Sequence, residues 1–356
     1  MSSSLTKYRL LGRSGLRVSP LCLGTMTFGT QWGWGSPEEE ARDILNRYLE
    51  LGGNFVDTAN FYTGGTSETM LGKFLEGRRD QVVLATKFTL SMRDGDPNAS
   101  GNGRKNIVQS CEASLRRLKT DYIDLYIMHA WDGITPAEEI LAALHALVMQ
   151  GKVLHIGVSD TPAWKVAQAQ TLADWRGWDR FCSLQIKYAL TERTVERELI
   201  PMAREMGLGV TPWSPLDGGF LSGKYAPEDA EKKSDSAPAA DRRLKAESLR
   251  ERFDDRNERI LAELRAVGHE AARSCAQVAL NWVQNRPGVA STIIGARRMD
   301  QLEDNLAALD FDLSPEQRER LDKISAVDLG FPGDFLSKEP VRKIVSGGCE
   351  VVAPKL

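Results

Sequence analysis

Four polar residues stand at or just beyond the ends of short apolar runs in this 356-residue chain. Asp57 closes Phe55-Val56-Asp57, Lys87 closes Val83-Leu84-Ala85-Thr86-Lys87, and His129 closes Leu125-Tyr126-Ile127-Met128-His129. Tyr62 follows Asp57 in the stretch Thr58–Thr66. Together they supply an acid, a phenol, an ammonium and an imidazole. A tyrosine with its usual pKa near ~10 is a poor acid at neutral pH. A neighbouring ammonium favours tyrosinate and lowers that pKa. A lysine ending a buried strand needs a partner, because an unpaired buried ammonium is costly. Asp57 is the natural partner. Lys87, held by Asp57, would make Tyr62 a proton donor, and His129 could orient the same substrate oxygen. Such a set protonates an oxygen that gains charge, as hydride attack on a carbonyl requires. Each residue alone has an ordinary reading as a cap or a satisfied core group; four on three consecutive runs are harder to dismiss. The set holds no activated nucleophile. The histidines, His129, His145, His155 and His269, are dispersed, so no metal site is expected.

The elements that must position these groups alternate along the chain. Apolar runs at Pro20–Gly24, Asn54–Asp57, Val82–Lys87, Ile123–His129, His155–Val158, Leu184–Tyr188, Gly209–Pro212 and Ser291–Ile294 are continuous. Continuous runs suit strands buried on both faces. Between them lie helical stripes: Ile107, Val108, Cys111, Leu115 and Leu118; Ile140, Leu141, Leu144, Leu147 and Val148; Met299, Leu302, Leu306 and Leu309. Ser36-Pro37-Glu38-Glu39 and Thr135-Pro136-Ala137-Glu138 read as N-caps with proline at the first helical position.

This rhythm predicts an α/β fold, a (β/α)8 TIM barrel, with active-site loops at the C-terminal rim of the strands. A short N-terminal β-hairpin, Tyr8–Leu11 and Leu16–Val18, would turn on Gly12-Arg13-Ser14-Gly15 and cap the barrel floor. No GxGxxG or P-loop follows a strand. One domain over 1–356 is expected, with the barrel at about 20–310 and a loop or tail at 311–356. Residues 225–253 and 327–356 fall outside the rhythm, and long irregular segments are often lids or binding loops.

Composition sets outer bounds. Charged residues make up 27% and hydrophobic ones 42%, which excludes a disordered chain. The net charge of −3 gives no reason to expect nucleic acid or an anionic membrane as a partner. No apolar run approaches ~18 residues and no secretory signal opens the sequence. Cys22, Cys111, Cys182, Cys275 and Cys349 are scattered without CxxC spacing and read as free thiols. A cytoplasmic protein is expected, in which the sequon at Asn98 stays unused.

The sequence resembles the aldo-keto reductases. The resemblance rests on Gly15-Leu16-Arg17-Val18-Ser19, Leu23-Gly24-Thr25-Met26, Phe55-Val56-Asp57-Thr58-Ala59 with Tyr62, and Ser67-Glu68 with Leu71-Gly72. It continues through Thr86-Lys87, Asp121–Tyr126 leading to His129, Gly151-Lys152-Val153, and Ile156-Gly157-Val158-Ser159. Trp213-Ser214-Pro215-Leu216, Gly223-Lys224-Tyr225, and Ile294-Gly295-Ala296-Arg297 with Gln301, Leu302 and Asn305 complete it, over roughly residues 8–310.

The resemblance implies a barrel that binds NADP(H) without a Rossmann domain and transfers hydride to an aldehyde or ketone. It implies that Asp57, Tyr62, Lys87 and His129 form the catalytic tetrad, with Tyr62 as acid and base. It further implies cofactor contacts from Thr25, Met26 and Asp57, and from Ser159, Asp160 and Gln185 at the nicotinamide carboxamide. Trp213 would stack on the ring. Ser214, Leu216, Lys224 and Arg243 would hold the pyrophosphate. Gly295, Arg297, Gln301 and Asn305 would hold the adenosine end, with Arg297 on the 2′-phosphate and Arg298 adding charge.

Two positions depart from the family pattern. Asp160 stands where Asn is common, and accepts but cannot donate unless protonated. Ala130-Trp131-Asp132 follows His129, where Arg is common. Phe28, Trp32, Trp34 and Trp131 fall in rim loops and suit an apolar or aromatic carbonyl substrate; Phe331 and Phe335 of the tail could complete the wall. Two alternatives accompany this reading. One is a nicotinamide-binding regulatory subunit with little turnover. The other is an enzyme working mainly as an NADP-dependent alcohol dehydrogenase.

Overall fold

The computed structural model describes residues 4–231 and 244–350. It opens with an antiparallel hairpin, β1 (Arg9–Leu10) and β2 (Arg17–Val18), in which Arg9 faces Val18. Eight parallel strands follow: β3 (Leu21–Gly24), β4 (Phe55–Asp57), β5 (Val83–Phe88), β6 (Ile123–Met128), β7 (Val153–Ser159), β8 (Phe181–Lys187), β9 (Gly209–Trp213) and β10 (Thr292–Gly295). They pair in the order β10-β3-β4-β5-β6-β7-β8-β9. The seam between β9 and β10 is closed beside Val289, where Val210 donates to the Gly288 carbonyl and accepts from Ala290 N–H, both at 2.9 Å. All eight apolar runs read from the sequence are barrel strands.

The strands are apolar throughout because both faces are covered. Every residue of β5 and β6 is buried. Val83, Ala85, Leu125 and Ile127 point into the barrel interior, where they meet Phe55 and Ile293. Their neighbours Leu84 and Tyr126 point outward against the helices. The helix Arg104–Leu118 seats Ile107, Cys111, Leu115 and Leu118 on that layer. Val108, one step round the helix from Ile107, is exposed and leaves the stripe read from sequence. Pro37 and Pro136 sit one position earlier than expected. Each is the extended cap residue of its helix, Glu38–Glu50 and Ala137–Met149, and the acidic residues fill the first turn.

The hairpin plugs the N-terminal end of the barrel. Leu11 and Val18 are fully buried among the inward residues of β3 to β6. Gly12 makes this possible with φ +61°, and a Cβ there would lie 2.4 Å from the Cys182 carbonyl oxygen. Arg13 N–H then donates to the Gly207 carbonyl at 2.8 Å, tying the plug to the floor of β9.

The segments outside the βα rhythm are partly helical. Pro227–Ala230 and Ala246–Arg250 flank residues 232–243, which lie outside the described residues and include Arg243. Beyond the barrel, Pro315–Ile324 is a helix capped reciprocally by Ser314 and Gln317. Gly333–Ser337 and Glu339–Val345 are short exposed helices. Among the described residues no helix is long and apolar enough to cross a membrane. All five cysteines are unpaired, three of them buried.

The hairpin gives a direct stability test. Gly12→Ala combines a left-handed φ with a backbone collision and is expected to cost about 2 kcal/mol or more. Gly15→Ala, where a Cβ meets nothing within 4 Å, should change stability by less than about 0.5 kcal/mol. Urea unfolding of both variants measures the difference; equal midpoints would refute the plug's role.

Candidate active site

The C-terminal ends of β4, β5 and β6 bring the acid, the lysine and the histidine to one rim, and the turn after β4 adds the phenol. Lys87, wholly buried, donates to Asp57 Oδ1 at 2.5 Å, to the Thr58 carbonyl at 2.8 Å and to the Tyr62 hydroxyl at 3.1 Å. All three N–H donors of the ammonium therefore have acceptors. Asp57 Oδ2 accepts from Gln185 Nε2 at 3.0 Å. The His129 ring lies edge-on to the Tyr62 ring, with centroids 6.0 Å apart.

A polar layer behind this rim fixes it. Thr25 Oγ1 donates to the Asp57 carbonyl at 3.0 Å and shares a 2.8 Å bond with Ser67 Oγ, which also meets Thr58. Thr86 Oγ1 donates to Glu68 Oε1, and the other Glu68 oxygen accepts from Arg117 Nε at 2.6 Å. Glu68 is fully buried, so this pair is a structural brace for β5 and not part of the cleft.

The electrostatics follow from burial set against charge. Burial would push the Lys87 ammonium down, but the Asp57 carboxylate and the Tyr62 oxygen more than offset it, and the pKa ends above its ordinary value. For Tyr62 the sign differs from the sequence expectation. Burial raises its pKa; the Lys87 charge and hydrogen bond pull it back, Asp57 and Asp160 oppose them, and the result stays above the ordinary 10. Proximity to Lys87 was legible from the sequence, but the loss of water around the phenol was not, and it outweighs the ammonium. Tyr62 is therefore a fully protonated donor at neutral pH. Burial, then Lys87, hold His129 down to about 3, so its imidazole is neutral. Its Nδ1 is buried without a hydrogen-bond partner.

A cleft of roughly 540 Å³ opens from this rim. Asp57, Tyr62, His129, Ser159, Asp160, Gln185, Trp213, Ser214, Leu216 and Lys224 all line it, as do Met26, Trp32, Gly295, Arg297, Gln301 and Asn305. One continuous groove thus unites most of the residues singled out from sequence. Lys87 lies beneath it.

Others fall elsewhere. Thr25 is buried, its hydroxyl engaged by the Asp57 carbonyl and Ser67. Phe28 is fully buried and packs edge-on against Phe74 in the helix layer, so it is no part of the cleft wall. Trp131 packs against the core and meets Trp164 edge-on, away from the cleft. Trp34 contacts Trp32 at 5.7 Å without lining the cleft. Phe331 and Phe335 pair with each other on the exposed tail and form no part of the wall. Phe61, Leu90, Thr27, Gly218, Gly219 and Asp304 line the cleft and were missed. Phe61 carried a signal, as an aromatic residue directly before Tyr62, and Gly218-Gly219 carried another, as a glycine pair after a strand.

The groove offers polar groups suited to a long anionic cofactor. After β9, Ser214, Asp217, Gly218 and Gly219 all have positive φ, the last at +97°. The N–H groups of Asp217, Gly218 and Gly219 are spent within the turn, on the Ser214 carbonyl, Ser214 Oγ and the Leu216 carbonyl, and the turn lays Ser214 and Lys224 along the groove. Asp217 itself is neutralised by Lys187 at 3.2 Å and Arg252 at 3.3 Å. Farther along, Arg297 makes no ion pair among the described residues, whereas Arg298 pairs with Asp300. Gln301 Oε1 accepts from Arg297 N–H at 2.9 Å, fixing the turn that carries it.

Comparison with known proteins agrees with this geometry. Residues 20–326 match the family model described as the aldo/keto reductase family. A norsolorinic acid reductase of Emericella nidulans is 40% identical over 341 residues, covering 93% of this chain and 84% of that protein. An NADP(+) aryl-alcohol dehydrogenase of Phanerodontia chrysosporium is 38% identical over 341 residues, covering 89% and 85%. An aryl-alcohol dehydrogenase of Pestalotiopsis microspora is 36% identical over 344 residues, covering 94% and 86%.

A neutral His129 has a measurable signature. Its ring resonances, assigned by their loss in His129→Asn, should not titrate between pH 5 and 8. A midpoint near the ordinary imidazole value of ~6.5 would show that the site is more hydrated or more anionic than its geometry implies.

Proposed function

The chain belongs to the aldo/keto reductase family, and from that premise we propose that it interconverts aromatic aldehydes or ketones and their alcohols with NADP(H), using Tyr62 as the proton donor. Oxidoreduction between carbonyl and alcohol follows from the family itself. The choice of NADP(H), the aromatic substrate class and the residue roles are our reading. The observation that carries it is the single Lys87 ammonium held at once by Asp57 and the Tyr62 hydroxyl at the wall of the cleft.

The residues fit a pyridine dinucleotide lying along the groove. Ser159 and Gln185 would engage the carboxamide, Trp213 the ring face, and Met26 and Leu216 the neighbouring walls. Ser214 and Lys224 would hold the pyrophosphate. Gly295, Gln301 and Asn305 would bound the adenosine, and Arg297 would meet the 2′-phosphate, whose charge-assisted hydrogen bonds distinguish NADP(H) from NAD(H). When bound, the reduced nicotinamide supplies a hydride to the carbonyl carbon.

The chain's own groups manage the oxygen. Tyr62 hydrogen-bonds the carbonyl oxygen and gives it a proton as negative charge builds there. Lys87 stabilises the phenolate left behind, and Asp57 keeps Lys87 charged and in place. His129, being neutral, adds a hydrogen bond to the same oxygen without competing as an acid. In the oxidative direction the same groups run in reverse: Tyr62, as phenolate, takes the alcohol proton.

Aromatic side chains at the mouth support a planar, apolar substrate. Trp32 lies 5.8 Å from Phe61 and 6.5 Å from Tyr62 between ring centroids, with Leu90 nearby in the wall. The relatives named above include aryl-alcohol dehydrogenases, which accords with this wall. A complete tetrad, with relatives named as enzymes, leaves the regulatory-subunit alternative without support. A cytoplasmic location is consistent with the reducing compartment that five free thiols suit.

The test is NADPH oxidation followed by absorbance with benzaldehyde, an aryl ketone and a straight-chain aldehyde. Wild-type protein should turn over the aryl compounds with NADPH in preference to NADH. Tyr62→Phe should lose on the order of 10²- to 10⁴-fold in kcat while its NADPH affinity stays within about threefold. A Tyr62→Phe variant of near-normal rate would remove Tyr62 from the chemistry.

A further inference from the structure

We propose that Asp160 sets the oxidation-state preference of the bound nicotinamide, its carboxylate favouring the cationic oxidised ring over the neutral reduced one. The inference rests on the reading of the cleft as a nicotinamide site and goes beyond it, to which form of the cofactor the site prefers.

Asp160 directly follows β7 and has φ +39°, a left-handed conformation that aspartate tolerates better than most side chains. That turn sets its side chain into the cleft beside Gln185 and Trp213. Its Oδ1 accepts from Trp213 Nε1–H at 3.0 Å. It therefore braces the aromatic plate of the ring subsite and brings a formal charge to it.

The charges around this corner do not cancel. Asp57 and Lys87 neutralise each other at 2.5 Å. Tyr62 is protonated and His129 neutral, for the reasons given above. Asp160 remains, and no cation ion-pairs it among the described residues. Burial leaves its pKa above the ordinary carboxylate value, with the Trp213 donor and the Lys87 charge offsetting part of that rise. Asp160 lines the same end of the cleft as Tyr62, His129 and Gln185, which places the carboxylate where the reaction would occur. A carbonyl hydrogen-bonded to Tyr62 can accept hydride only from a ring at that same end.

Loss of a hydride changes the ring from neutral to a single positive charge. A carboxylate discriminates between those states by Coulomb attraction, strongly where water is partly excluded. An amide in its place would still accept the Trp213 N–H but would carry no charge. Asp160→Asn thus removes the charge and keeps the brace. The overall reaction equilibrium is untouched, because both ligands bind and leave. What shifts is the partition on the protein: Asp160 favours carbonyl reduction of the bound pair and slows departure of the oxidised cofactor afterwards.

The experiment titrates the full-length chain with NADP⁺ and, separately, with NADPH, read by quenching of tryptophan fluorescence. Asp160→Asn should raise the ratio Kd(NADP⁺)/Kd(NADPH) about tenfold over wild type, equivalent to about 1.4 kcal/mol. Asp160→Glu, which keeps the charge, should hold the ratio within about threefold of wild type and supplies the comparison if the Asn variant folds poorly. An unchanged ratio in a folded Asp160→Asn variant that binds both forms overturns the charge argument alone. Wild-type protein that binds neither form overturns the nicotinamide site, and this proposal with it.

Discussion

The buried contact between Lys87 and Asp57 is the constraint around which the rest of the site is arranged. An ammonium with no exposed surface is sustainable only with an anionic partner and full use of its hydrogen bonds. Both conditions are met: Asp57, the Thr58 carbonyl and the Tyr62 hydroxyl take its donors. The pair requires β4 and β5 to be neighbours in register, which they are, with Asp57 opposite Ala85. It also requires the strand ends to be held from behind. The Thr25, Ser67 and Thr58 hydroxyls and the Thr86–Glu68–Arg117 chain do that without entering the cleft. Removing either charge would leave the other buried alone, so stability and chemistry are tied to the same two residues.

From this pair the chemical roles separate by environment. Tyr62 keeps its proton because burial outweighs the ammonium, yet the ammonium stands ready to receive the charge once that proton leaves. His129 keeps its neutral form because burial and the same ammonium both disfavour a second cation. In the proposed mechanism one lysine thus supports the donor and keeps the imidazole from competing as an acid. The carboxylate of Asp160, which accepts from Trp213, has no ion-pair partner among the described residues, and on our proposal it sets a preference between cofactor states.

Much of this was legible in the sequence for one reason: parallel strands covered on both faces read as continuous apolar runs, and a polar residue ending such a run stands at the working rim. Asp57, Lys87 and His129 were readable that way, and Tyr62 by its place just beyond. The hairpin plug was readable from Gly12 and its flanks. Side-chain direction within loops was not. Phe28 and Trp131 have the residue types of a pocket wall, but their backbones aim them into the helix layer, where Phe74 and Trp164 meet them. Phe61 stands directly before Tyr62 but on no periodic face, so its sequence position alone does not show that its ring turns toward Trp32 and the cleft. The balance of forces on Tyr62 was also hidden, because spacing gives the sign of a Coulomb contact but not the extent of burial.

The central claim is that the Lys87–Asp57 pair makes Tyr62 an effective proton donor, and a single-turnover experiment tests it most directly. NADPH oxidation by excess benzaldehyde would be followed by stopped flow in wild type and in Lys87→Met, after confirming that the variant is folded and binds NADPH. The account predicts a fall of on the order of 10²-fold or more in the single-turnover rate, with NADPH affinity largely kept. A Lys87→Met variant that completes the turnover at the wild-type rate would contradict it.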